Sequence, residues 1–359
     1  MRLRRISLTD FRSYEQVELA PADGLTVIVG ANGEGKTNLL EAIGYLATLG
    51  SFRGAPTDAL VRAGATSAVI RADVVDADDR GALIEAELRV AGRDRVQVNK
   101  QPLKRARDLL GTLRVSVFSP DDLALVKGGP AERRTYLDST LVACAPKHDQ
   151  TLGDLDRILR QRNALLKQAG GRLGPEIEPT LDVFDAKLAE VGERLGTARA
   201  TLVAKLEPII AKAYDVVASQ AAQVTVTHEA PWRGEGLAAA LARARVDDLR
   251  RAVTTVGPHR DDITLTINGM PARTHASQGE QRSLSLALRL AAHELVTEYA
   301  RSAPVLLLDD MFSELDPDRS VALLRALPDD GQALLTTAGV LPQGLEPEQV
   351  VTVRDGRIA

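Results

Sequence analysis

A strand, a glycine loop and a helix in immediate succession constrain this chain more than any other feature. Leu25–Val29 is a mostly apolar run. The segment Gly30-Ala31-Asn32-Gly33-Glu34-Gly35-Lys36-Thr37 then fits G-x-x-x-x-G-K-[ST] at every fixed position. Over residues 38–49, Leu39, Leu40, Ile43 and Leu46 recur at helical spacing. In such a loop the backbone N–H groups face an anion and the helix N-terminus adds partial positive charge. The reading is a nucleotide phosphate cradle: Lys36 reaches the β- and γ-phosphates and Thr37 ligates Mg²⁺.

The bulk properties agree with a cytoplasmic, α/β globular protein. The 359 residues are 44% hydrophobic, enough for two domains or one with a large insertion. With aromatics at 3%, the core must be aliphatic. The single cysteine, Cys144, excludes an internal disulfide and a cysteine-rich zinc site, and reads as a small buried hydrophobe. The first residues lack an apolar core of signal-peptide length, and no run is long enough to span a membrane. A net charge of −4 argues against a globally basic nucleic-acid binder, so any DNA contact has to come from local positive charge.

Alternation and turn residues place an antiparallel meander over 69–101, with strands at 69–75, 83–90 and 96–98, then a strand at 113–118. Ser119-Pro120-Asp121-Asp122 opens a helix. From Gly128 to about Leu249 the pattern is mostly helical, with Leu181, Phe184, Leu188, Val191, Leu195, Ala198 and Leu202 in one stripe that Pro208 should end or kink. That stripe fits an amphipathic helix on a core or a short helical hairpin. Strand patterns return at 263–267, followed by the hairpin signal Asn268-Gly269, a helix over 279–299, and strands at 305–308, 333–337 and 350–353. The organisation is a split α/β head, residues 1–127 and 250–359, with a helical insertion domain at 128–249.

Val305-Leu306-Leu307-Leu308-Asp309-Asp310 has the form of a Walker B strand: Asp309 would hold Mg²⁺ and Asp310 would polarise an attacking water. Ser277-Gln278-Gly279-Glu280-Gln281 resembles the signature motif of ABC-type ATPases, and Ser313-Glu314-Leu315-Asp316 resembles their D-loop. Singly, either string could be an ordinary helix cap. The order of loop, signature, Walker B and D-loop implies an ABC-type ATPase head, a phosphate-loop parallel sheet with an antiparallel β layer. Resemblance to this class implies that Ser277 and Gly279 act in trans, completing the phosphate site of a second copy, so that ATP holds a head-to-tail homodimer together.

Further strings go beyond the generic pattern. Leu8-Thr9-Asp10-Phe11-Arg12-Ser13-Tyr14, Ser119-Pro120-Asp121-Asp122-Leu123, Gly128-Gly129-Pro130, Arg133-Arg134-Thr135-Tyr136-Leu137-Asp138 and Gly257-Pro258-His259-Arg260-Asp261-Asp262 resemble the RecF family of bacterial recombination mediators, within the SMC-like ATPases. The resemblance implies a slow, DNA-stimulated ATPase that binds duplex and gapped DNA as an ATP-dependent dimer. It also implies work with RecR and RecO to place RecA on single-stranded gaps, with roles in repair, replication and the SOS response. By matching position, Gly30 to Thr37, Ser277, Asp309 and Asp310 form the nucleotide machinery, and Arg12 lies near the bound nucleotide. Two departures stand out. Asp310 occupies a position where most ABC ATPases carry glutamate, and Thr336-Thr337 stands where a switch histidine is usual. No Q-loop glutamine is evident near Phe118–Asp121. His259 is either a turn histidine bonded to backbone or, by resemblance, an interface residue.

Four basic clusters are candidates for DNA: Lys104/Arg105/Arg107, Arg133/Arg134, Arg157/Arg160/Arg162 and Arg243/Arg245/Arg250/Arg251. Such a cluster is more often a solvated helix face. Without interleaved aromatics, phosphate contact fits better than base stacking. The competing functions are the nucleotide-binding subunit of a membrane transporter and an SMC-like structural protein. The long segment between Lys36 and Ser277 opposes the first, and the lack of long coiled coils the second.

Overall fold

The computed structural model describes residues 1–218, 221–314, 317–327, 331–339 and 344–358. The chain divides into two compact units: Met1–Leu123 with Ile209–Ala222 and Ser277–Ala359, and Ala124–Pro208 with Gln223–Ala276.

The first unit holds two six-stranded sheets. One is antiparallel, built from β1 (Arg2–Phe11), β2 (Tyr14–Leu19), β4 (Ser67–Val75), β5 (Gly81–Arg89), β6 (Arg95–Val98) and β7 (Gln101–Pro102), in the order β2-β1-β4-β5-β6-β7. The other is mainly parallel. Its strands are β3 (Leu25–Val29), β8 (Val115–Phe118), β12 (Val305–Asp309), β13 (Ala333–Thr337), β14 (Gln349–Arg354) and β15 (Arg357–Ile358), in the order β15-β14-β3-β13-β12-β8, with only β15 antiparallel.

Side-chain alternation along the central strands explains why both faces of the parallel sheet are covered. Val305 and Leu307 of β12, Ile28 of β3 and Leu334 of β13 join the core that α1 (Lys36–Thr48) shares with the antiparallel sheet through Leu39, Leu40, Ile43 and Leu46. Their neighbours Leu306, Leu308, Val27 and Leu335 face the opposite core, with Leu286 and Leu290 of α8 (Gln278–Ala300) and Leu323 of α9 (Pro317–Ala326). A strand buried on both faces reads as one continuous apolar run, which is why β12 was legible.

The second unit contains α2 (Ala124–Lys127), α3 (Pro130–Cys144), α4 (Lys147–Ala169), most of α5 (Ile177–Ala218), α6 (Leu237–Arg251) and α7 (Ala272–His275). It also carries a three-stranded antiparallel sheet, β11-β10-β9, formed by β9 (Val224–Glu229), β10 (Asp262–Ile267) and β11 (Met270–Pro271). Residues 250–276, grouped with the head by sequence pattern, cluster here because β10 pairs with β9, from Asp262↔Glu229 to Ile267↔Val224. The Asn268-Gly269 turn has φ of 52° and 76°, the left-handed pair that a two-residue hairpin demands.

Pro208 does not end α5, which continues through it to Ala218. The ring removes one backbone donor, but Leu206 and Ile210 on either side are fully buried. Packing of those flanks outweighs the lost bond.

Candidate nucleotide site

The glycine loop leaves β3 and enters α1 within one unit, and its shape comes from neighbours on three sides. Gly35 has φ +103°, and a Cβ there would lie 2.6 Å from Ser13 Oγ. Only glycine fits so close to the β1–β2 turn. Tyr14, fully buried, donates its hydroxyl to Gly35 O at 2.9 Å, and Asn38 Nδ2 donates to Ser13 Oγ at 3.0 Å. Asp355 N donates to the Glu34 carboxylate. Lys36 is 6% exposed, and its Nζ donates to Gly30 O (2.7 Å) and Ala31 O (2.8 Å), folding across the loop. Ala31, Asn32 and Gly33 at the loop tip are open to solvent.

Strand order brings Asp309 to this loop. β13 lies between β3 and β12, in parallel register with both. Asp309 Oδ1 accepts from Thr37 Oγ1 and from Thr336 Oγ1, each at 2.8 Å. Thr336 Oγ1 in turn accepts from Asp310 N at 3.0 Å. One hydroxyl on the strand between the two motifs thus ties both acids down. Asp310 turns out of the strand with φ +48° and is partly exposed. Burial raises the Asp309 pKa above the usual carboxylate range, offset in part by the two threonine hydroxyls and the positive charge of Arg53, while Asp310 adds to the rise. A buried carboxylate beside a threonine hydroxyl is a donor set that suits Mg²⁺, which needs few protein ligands and keeps several waters.

Arg12 lies beside the loop but is bound to α1. At φ +53° it makes a bidentate pair with Glu41, both contacts 2.8 Å, and donates to Ala59 O at 3.0 Å. Glu41 is completely buried and also accepts from Ser51 Oγ at 2.5 Å. Glu41 and Tyr14 had no assigned part in the sequence reading. The available signal for Glu41 was a lone acid inside the apolar pattern of α1.

The signature string forms the start of α8. Ser277 and Glu280 make a capping box: Ser277 Oγ accepts from Glu280 N (3.3 Å), and the Glu280 carboxylate accepts from Ser277 N (2.7 Å). That bond holds Glu280 below its usual pKa. A Cβ at Gly279 would collide with the Arg319 guanidinium from α9. Ser277 and Gln278 are exposed. Where a Q-loop glutamine was sought, Asp122 accepts from Ser119 N at 2.9 Å and from Arg289 of α8 at 2.9 and 2.6 Å. Arg289 lies 167 residues away, so no local pattern could reveal the pair. In the D-loop string, Ser313 Oγ donates to Asp310 O at 2.8 Å; Leu315 and Asp316 lie outside the described residues.

The Gly257–Asp262 string lies in the second unit, inside a buried polar network. His259 Nε2 meets Thr254 O at 3.0 Å, the backbone-bonded turn arrangement, and burial lowers its pKa. Asp261 accepts from Trp232 Nε1 at 2.7 Å, and Arg133 pairs with Asp262 at 2.7 Å. Arg199 binds Asp138 through two nitrogens.

A glycine loop on a parallel strand, an acid-ended strand two places over and a serine-capped helix define an ABC-type ATPase head of the SMC-like class. The family model described as RecF/RecN/SMC N terminal domain matches residues 2–340. The chain belongs to the RecF family of DNA replication and repair proteins. It is 47% identical to the DNA replication and repair protein RecF of Frankia alni, over 94% of this chain and 93% of that one. It is 44% identical to RecF of Kineococcus radiotolerans, again over 94% and 93%. Among solved structures, the recombination mediator protein RecF-ATP in the RecFOR pathway superposes with a TM-score of 0.90 at 31% identity, covering 99% of this chain and 96% of that one. An SMC head bound to the C-winged helix domain of ScpA shares the fold alone, with a TM-score of 0.59 at 17% identity. No helix among the described residues is long and apolar enough to cross a membrane.

Proposed function

We propose that this chain is an ATP-dependent DNA clamp of recombinational repair. The junction of Thr37, Thr336 and Asp309 carries the reading, because it joins the phosphate loop to the acid strand through hydroxyls only 2.8 Å from one carboxylate oxygen. In this reading the backbone from Gly30 to Thr37 holds the triphosphate and Lys36 swings from the loop carbonyls to the β- and γ-phosphates. Thr37 and Asp309 would hold Mg²⁺, whose charge would offset that of the phosphates. Asp310 orients the attacking water. Its carboxylate is one methylene shorter than glutamate, which suits slow, DNA-stimulated turnover. Arg12 supports the loop through the β1–β2 turn it anchors on Glu41.

Ser277 and Gly279 at the exposed start of α8 would meet the γ-phosphate of a second copy, so ATP closes a head-to-tail dimer on duplex or gapped DNA and hydrolysis opens it. The RecF family and the RecFOR pathway named for the solved relative support RecR and RecO as partners in loading RecA, in the cytoplasm. The first unit would be the nucleotide-binding head and the mostly helical second unit its companion.

Exchanging Lys36 for methionine tests the site. Removing two charge-assisted contacts should weaken ATP binding by about 100-fold and abolish ATP-dependent retention of duplex in a gel shift. ATP affinity equal to that of the parent would overturn the reading.

A further inference from the structure

The charge of the antiparallel sheet is unevenly distributed. On its inner strands, cations and acids pair: Arg5 with Asp73, Arg71 with Glu85, and Arg89 with Glu87. Residues 93–108, around edge strands β6 and β7, carry six cations and two acids in a chain of net charge −4. All six cations, Arg93, Arg95, Lys100, Lys104, Arg105 and Arg107, are exposed. Arg105 pairs with Asp108, and Asp94 is used by the backbone N–H of Arg89. Among the described residues, Arg93, Arg95, Lys100 and Lys104 form no ion pair. Arg95 stands opposite Glu87 across the strands, but Glu87 is already held by Arg89.

The other basic clusters are largely spent on their own acids. Arg157 pairs with Asp154, Arg160 with Asp156, Arg243 with Glu235 and Arg250 with Asp247. Arg162 and Arg133 are buried in ion pairs.

Backbone geometry supplies a second, independent pointer. The β6–β7 turn is Asn99-Lys100, with φ of 51° and 64°. The second position of such a turn is glycine's, and a lysine there is held in a conformation its Cβ disfavours. Edge protection against strand pairing explains one lysine and Pro102 but not this excess.

We propose that the β6–β7 edge, from Arg93 to Lys104, is a phosphate-contacting surface for duplex DNA. Residues 91–112 contain no aromatic side chain, so recognition is by charge along the backbone and not by base stacking. The assignment rests on the reading of the chain as a DNA-binding clamp.

Two variants test it by fluorescence anisotropy on a duplex, with ATP and Mg²⁺, across a salt series. The triple variant Arg93→Gln/Lys100→Gln/Lys104→Gln should lose at least about tenfold in affinity, and its log K against log salt slope should flatten by about 2–3. Lys100→Gly relieves the turn, so its melting temperature should rise while the slope flattens by about 1; misfolding cannot produce that opposite movement. Arg157→Gln/Arg160→Gln is the control and should match the parent. Parental slopes in the triple variant and in Lys100→Gly would overturn the surface while leaving the clamp reading intact, as would an equal loss in the control. No ATP-dependent duplex binding by the parent would instead sink the clamp reading itself.

Discussion

Asp309 is 7% exposed, with two threonine hydroxyls on one oxygen and no lysine or arginine in an ion pair with it among the described residues. Burial raises its pKa, so ionising this carboxylate costs the folded chain free energy. An acid with a raised folded-state pKa destabilises the fold above that value, and the penalty disappears as pH falls through it toward the unfolded value near ~3.9. A divalent cation held by Asp309 and Thr37 would offset that cost. Asp309→Asn keeps an oxygen for Thr37 and Thr336 and removes the charge. In the absence of nucleotide, this variant should melt about 1–3 °C higher than the parent at pH 7.5, with the gain shrinking as pH falls. The parent's stabilisation by ATP and Mg²⁺ should be lost. Calorimetric scans showing a lower melting temperature, or an unchanged nucleotide shift, would contradict this.

At the scale of elements, motif-bearing segments were legible because their constraints are local. The loop, β12 and the α8 cap each carry their signal within a few residues, and α1 observed at Lys36–Thr48 sits close to its expected range. Long-range polar pairing was not legible. Arg12–Glu41, Asp122–Arg289 and Arg162–Asp248 join residues 29, 167 and 86 positions apart, and no periodicity encodes them. β9, Val-Thr-Val-Thr-His-Glu, alternates as a strand should but stands within a stretch whose pattern is otherwise helical, so it was not separated from it. The second unit shows what such pairing achieves. Arg162 of α4 is fully buried and binds Asp185 of α5, Asp248 of α6 and Thr254 Oγ1, at 2.7, 2.7 and 2.9 Å. One guanidinium thereby fixes three helices. Arg162→Ala would strip the guanidinium from two buried carboxylates, leaving Asp185 to Arg245 and Asp248 to the Thr255 amide and hydroxyl, and should destabilise this unit by about 3 kcal/mol in urea melts. A loss under about 1 kcal/mol would mean the network is dispensable. Arg162 was offered as a DNA candidate by sequence pattern; its complete burial gives it a structural part instead.

For the whole molecule, the fold places the phosphate loop and Walker acids in one cluster while the signature serine caps a helix whose first residues face solvent. The Ser277–Glu280 capping box fixes the start of this helix, so in the proposed dimer the serine would meet a phosphate from an already ordered turn. The account therefore depends on two copies sharing nucleotide. Sedimentation velocity tests this most directly, run on the parent and on Ser277→Arg with saturating ATP and Mg²⁺, with and without duplex. The parent should move from monomer to dimer only when ATP is present, and Ser277→Arg should bind ATP yet remain a monomer. A parent that stays monomeric with ATP and duplex, or a Ser277→Arg protein that dimerises as readily as the parent, would contradict the account.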